Sequence, residues 1–129
     1  MQIQIKNTIQ MGNEVEIIRE VHDCEWTKRG DYDYLIHENS QQEKVVLKVN
    51  DRELVMTRFS TPKSLMRFSK GKYDVASLPT PLGTQHLVTK TRRFSLDRSE
   101  GKIELTYDLL ANQEVDEILA SYDLQIVWG

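Results

Sequence analysis

Apolar and polar residues alternate with a period of two along most of this chain. The pattern is clearest at the C-terminal end, where Ile118, Ala120, Tyr122, Leu124, Ile126 and Trp128 share one parity and Ser121, Asp123 and Gln125 hold the other. An extended strand sends these two sets to opposite faces, so one face is buried and the other is wet. Ile103, Leu105, Tyr107 and Leu109 alternate in the same way with Lys102, Glu104, Thr106 and Asp108, and Val45, Leu47 and Val49 alternate with Val46 and Lys48. Such segments are antiparallel strands with one solvent face.

Turn residues fall between the runs. Asn50-Asp51 follows Val49, and Lys70-Gly71 precedes Tyr73, where Gly71 is free to take the positive φ of a tight hairpin. Met11-Gly12-Asn13 and Ser99-Glu100-Gly101 punctuate the chain elsewhere. The pattern predicts strands over 2–11, 14–26, 32–38, 43–50, 53–59, 64–69, 72–78, 85–97, 102–111 and 118–128. The stretch from Asn112 to Leu119 is the one place where a short helix is considered, and it reads as a loop or a single turn.

Strands joined by sequential hairpins leave two unpaired edges unless the sheet closes on itself. Sandwiches usually need longer crossovers, and none is found here. The prediction is therefore an all-β fold, a closed antiparallel up-and-down barrel of about eight to ten strands, forming one domain over residues 1–129. A length of 129 residues suits a single core. With 39% apolar and 29% charged residues, the chain has enough material to bury and too little polar bias for disorder.

The N-terminal run alternates where a signal peptide needs an unbroken apolar stretch, no segment reaches the length of a membrane span, and Cys24 has no second cysteine to pair with. The expected location is the cytoplasm, with no membrane partner. The net charge of −3 is unevenly spread. Residues 58–93 carry eight Lys/Arg against one Asp/Glu, whereas the segments on either side are acidic.

Four stretches occur in an order that resembles a known family. They are the Tyr-x-Tyr-x-x-x-Glu of Tyr32, Tyr34 and Glu38, the strand ending in Arg58, the Thr-Pro-x-Gly of Thr80, Pro81 and Gly83 leading into Thr89 and Thr91, and the Gly101-x-Ile103-x-Leu105-x-Tyr107 hairpin. Over nearly the whole chain they resemble the YwiB-like family of Gram-positive bacteria. The resemblance implies a calycin-like, that is lipocalin-like, β-barrel, in agreement with the strand pattern. It implies no defined activity, so no catalytic residue is carried over. Family members often carry a glycine soon after the arginine, and Phe59-Ser60 stands there in this chain, so the connection after that strand is expected to differ.

On the parity reading Tyr32, Tyr34, Ile36 and Glu38 share a face, as do Leu54, Met56 and Arg58. If those faces point inward, Glu38 and Arg58 bring opposite charges into an apolar lumen and should meet each other or a ligand. Tyr34, Thr89, Thr91, Tyr107 and Tyr122 add hydroxyls to the same space. Two outcomes are open: the lumen holds a small amphipathic or anionic molecule on Arg58, or it is filled and these polar groups satisfy one another. The alternative function is an interaction module that meets RNA or an acidic protein through the basic strands, on Arg67, Lys90, Arg92 and Arg93, of which Arg67, Lys90 and Arg92 read as outward-facing, with Phe68 and Tyr73 at parities that suit a core.

His22 and Cys24 share one face of a strand, yet two ligands do not make a metal site, and His37 and His86 would have to join them through the fold. There is no G-x-S-x-G, no phosphate-cradling glycine motif and no metal-ligand spacing. Neither enzymatic activity, metal nor cofactor is expected. Arg29-Gly30-Asp31 reads as a hairpin turn rather than an adhesion motif. The sequence does not set the oligomeric state.

Overall fold

The computed structural model describes residues 1–114 and 117–129. It is all-β: β1 (Gln2–Met11), β2 (Glu14–Arg29), β3 (Tyr32–Glu38), β4 (Lys44–Val49), β5 (Glu53–Arg58), β6 (Ser64–Ser69), β7 (Tyr73–Thr80), β8 (Gly83–Asp97), β9 (Lys102–Leu110) and β10 (Ile118–Trp128). Each strand pairs antiparallel with its sequence neighbour, and β1 pairs with β10 to close the barrel. The predicted meander is therefore present, with β2 and β8 longer than their patterns suggest. Of the stretch 112–119, Ile118 and Leu119 open β10, Asn112 makes a tight turn by accepting the Glu114 amide, and Val115 and Asp116 lie outside the described residues.

Directly opposed residues of antiparallel neighbours share a face, so the register identifies the lumen. Ile3, Ile5, Leu35, Leu47, Leu54, Phe68, Ile103, Leu105, Leu124 and Ile126 are all buried and form one cluster. Ile5 faces Ile126, Leu105 faces Leu124, Leu35 faces Leu47 and Leu54 faces Phe68, each pair adding apolar area to the same interior. At β8 the register shifts between Thr91 and Arg93, a bulge that leaves Arg92 as the extra residue and sends both arginines outward.

The two ends of the barrel differ. At the end that carries the β2–β3, β4–β5 and β8–β9 turns, Arg98 spans all three. Its Nε donates to Asp33 Oδ2 at 3.1 Å, its Nη2 to the Asp31 carbonyl at 2.7 Å, and its Nη1 lies 3.4 Å from Asp51 Oδ1. Asp33 is 2% exposed, so this arginine supplies the counter-charge of a carboxylate buried inside the barrel. Gly101, at φ 67°, packs against the carbonyl of Trp128 and lets the C-terminal strand lie over the β8–β9 turn. Among the described residues the opposite end has no such plug, and there the interior opens into a cavity.

Candidate functional site

Five inward residues form one rung across five strands. Cys24 opposes His37, His37 opposes Val45, Val45 opposes Arg58, and Arg58 opposes Ser64. The Gly30-Asp31 turn sets this rung, because a two-residue link pairs Arg29 with Tyr32 and hence Cys24 with His37. One rung deeper lie Leu35, Leu47, Met56, Met66 and Ala76. His37, Val45, Arg58 and Ser64 of the rung, with Met56 and Met66 below them, line a cavity of about 400 Å³, completed by Ile5, Asn7, Leu124 and Tyr107 on one side and by Ile18, Glu20 and the loop Asn39–Gln41 at the mouth.

Among the described residues, Arg58 is the one lysine or arginine on that lining and Glu20 the one carboxylate. They are not paired with each other. Glu20 Oε1 sits 3.0 Å from His22 Nε2, and the nearest carboxylate to Arg58 is Glu43, whose Oε1 is 3.7 Å from Nε. The His22 ring stacks on His37 with centroids 5.0 Å apart. Burial holds His37 below its ordinary pKa of 6.5, and His22 beside it acts in the same direction, so His37 is neutral inside the barrel near neutral pH. Tyr107 lies between Phe68 and Tyr122, with ring centroids at 4.4 and 4.5 Å, and its burial pushes the phenol far up.

Among the described residues, seven buried side-chain nitrogen or oxygen atoms lack a hydrogen-bond partner, and three of them, Asn7 Oδ1, His37 Nδ1 and Arg58 Nε, belong to residues that line this cavity. Leaving such a group unpaired costs about 1–3 kcal/mol, and more for a charged one.

The structure separates several residues that the sequence reading joins. Glu38 and Tyr34 do not enter the lumen: β3 turns Asp33, Leu35 and His37 inward, so Tyr32, Tyr34, Ile36 and Glu38 face out. Glu38 is exposed opposite Lys44, and Tyr34 lies on the outer face with Lys48. The expected meeting of Glu38 and Arg58 is therefore corrected. The misassignment arises because two of the true inward residues are polar, Asp33 answered by Arg98 and His37 by the His22 ring. Arg58 is inward as read. Thr89 and Thr91 are inward and fully buried but sit away from the cavity. Thr89 Oγ1 donates to the Arg67 carbonyl at 2.7 Å, and Thr91 Oγ1 is unpartnered. Tyr107 lines the cavity, and Tyr122 stacks behind it.

The basic strands are interleaved with acids on the outer surface. Arg92 Nε lies 3.3 Å from Asp108 Oδ2, Arg67 Nε 3.7 Å from Glu53 Oε2, and Lys90 sits over Tyr73. Arg93 is exposed. Phe68 is core, whereas Tyr73, at a parity that suggested burial, is exposed at the strand start. His22 and Cys24 do point into the barrel with His37, but no group of three residues able to hold a metal ion occurs among the described residues.

The residues that sequence reasoning missed are His37, Asn7, Glu20 and Ser64. His37 was within reach: a two-residue turn at Gly30-Asp31, taken with the shared face of His22 and Cys24, places His37 opposite Cys24.

None of the curated proteins matches this chain. The crystal structure of the ywiB protein from Bacillus subtilis matches it with a TM-score of 0.76 at 22% identity, over 99% of this chain and 90% of that one, which shows a shared fold. The family model described as "Domain of unknown function (DUF1934)" matches residues 3–126, and the chain belongs to that family of uncharacterised closed β-barrels.

Proposed function

We propose that this barrel is a non-enzymatic binding protein that holds a small amphipathic anion in the open half of its lumen. The observation that carries the reading is that three polar residues, Asn7, His37 and Arg58, line one mainly apolar cavity at the open end of the barrel. A carboxylate or phosphate head would accept from Arg58, with a neutral His37 two strand spacings away, about 10 Å in the sheet. The apolar part would lie on Ile5, Val45, Met56, Met66 and Leu124. A cavity of this size falls in the range that small-molecule sites occupy. Glu20, turned to His22, leaves Arg58 as the charge that selects the ligand's sign. Tyr122, Thr89 and Thr91 then support the wall without touching the ligand.

The reading places the protein in the cytoplasm, in keeping with its buried free thiol at Cys24. Among the described residues no helix is long and apolar enough to cross a membrane. The alternative, RNA or an acidic protein on Arg67, Lys90, Arg92 and Arg93, has less support, because Asp108 Oδ2 already lies 3.3 Å from Arg92 Nε. Retention on heparin that falls with salt and is lost in Arg92→Glu/Arg93→Glu would favour it.

Displacement of a fluorescent fatty-acid analogue tests the lumen reading. Decanoate should displace the probe and decylamine should not. Equal displacement by both, or no saturable probe binding, would remove the proposal.

A further inference from the structure

The barrel is closed between β2 and β3 by six residue pairs only, Cys24–Arg29 with Tyr32–His37. Residues 14–23 of β2 pair with β1 along their whole length and have no neighbour on the other side. The Cys24 amide donates to the Met1 carbonyl at 2.9 Å, which sets the alternation. Even-numbered residues of β2 bond to β1, so Val15, Ile17, Arg19 and Val21 turn their N–H and C=O groups to the free edge.

Natural proteins guard such edges with lysine, proline, bulges or a covering loop. Residues 14–23 contain no lysine and no proline, and their register to β1 is unbroken. Instead the outer face presents Val15, Ile17 and Val21, all exposed, with exposed Arg19 between the last two. The other face carries Glu14, Glu16, Ile18 and Glu20; Glu20 is held by His22 at 3.0 Å, and no cation among the described residues pairs with Glu14 or Glu16. A row of free backbone groups is satisfied by another strand, and the two faces dictate its side chains: apolar on one side, cationic on the other, in strict alternation. A second copy of the same edge would bring its own glutamates against these, so charge argues for a different partner.

We propose that the free edge of β2 takes up an extended segment of a partner protein as an added strand, in which apolar residues alternate with lysine or arginine. Glu14 and Glu16 receive the cations, and Val15, Ile17 and Val21 pack against the apolar side chains. The new strand lies at the mouth of the cavity beside Ile18, yet recognition rests on the edge and not on any lumen ligand.

The test uses a blocked ten-residue peptide of alternating valine and lysine with the whole protein. Binding by isothermal titration should weaken as salt rises, and hydrogen exchange should slow at the amides of Val15, Ile17, Arg19 and Val21, whereas Glu16, Ile18 and Glu20 are already bonded to β1. Glu14→Lys with Glu16→Lys should weaken binding roughly tenfold or more, two cross-strand charge pairs being reversed. Ile17→Pro, which removes an edge donor without touching the β1 ladder, should weaken it too, with circular dichroism confirming that each variant is folded. Equal binding of a valine–glutamate peptide, or of a valine–lysine peptide with its residues in two blocks, would overturn the proposal. So would a protein that is dimeric on its own with the four edge amides already protected, since the occupant would then be a second copy.

Discussion

Replacing Arg98 with alanine probes how the closed end of the barrel is held. Asp33 is 2% exposed and takes its one hydrogen bond from Arg98 Nε at 3.1 Å, so the substitution leaves a buried carboxylate with no partner. Breaking a fully buried pair in this way costs about 3–5 kcal/mol. The Arg98 side chain is itself 35% exposed, so water reaches the vacated space and lowers the penalty. The lost bond to the Asp31 carbonyl adds roughly 1 kcal/mol, while the long contact to the exposed Asp51 adds little. The expected loss is about 2–3 kcal/mol, read as a fall in the urea midpoint at unchanged slope. A second variant separates buried charge from lost packing: Asp33→Asn with Arg98→Met should recover much of the loss, because neither isolated charge remains. If Arg98→Ala stays within about 0.5 kcal/mol of the parent, Arg98 is an ornament of the turn and Asp33 is stabilised some other way.

Two glycines with nearly the same backbone separate strain from steric contact. Gly101 and Gly71 have φ of 67° and 69°, but a β-carbon at 101 meets the Trp128 carbonyl while one at 71 meets open space. Gly71→Ala should cost about 1–2 kcal/mol for the left-handed backbone alone, and Gly101→Ala clearly more, compared by thermal unfolding. His37 sets a pH dependence. Its folded pKa lies below 6.5, so the unfolded chain binds the proton first, and stability is full above 6.5 and declines as pH falls from there toward the folded value. Urea unfolding at pH 7.5 and 5.5 should show a smaller difference in His37→Gln than in the parent. Tyr107, with its phenol pushed up by burial, should ionise only as the barrel unfolds in an ultraviolet titration at alkaline pH.

The ten strands were legible because a barrel asks little more of its sequence than alternation and turns. Ile103 to Leu109 and Ala120 to Ile126 carry the period, and Gly71 and Gly101 stand where the chain reverses. Strand β3 was not legible in the same way. Alternation names two faces and does not say which is inside, and the inward face of β3 holds Asp33 and His37, each admitted by a partner distant in sequence. Arg98, 65 residues from Asp33, gives no local signal. The cavity was half legible: Arg58 and Tyr107 follow from parity, whereas Asn7 and Glu20 are brought there by the pairing of β1 with β2, where the apolar pattern is weak because the far end of that hairpin is exposed on both faces. The basic middle third looked like a binding surface only while its neighbours were unknown, since Asp108 and Glu53 reach it from β9 and β5.

A crystal structure of the protein grown with decanoate puts the lumen to the most direct test. Electron density should show the carboxylate against Arg58, the chain running over Met56 and Met66, and Asn7 or His37 newly hydrogen-bonded. A lumen filled by its own side chains, or decanoate found only on the outer surface, would contradict a binding role for this barrel.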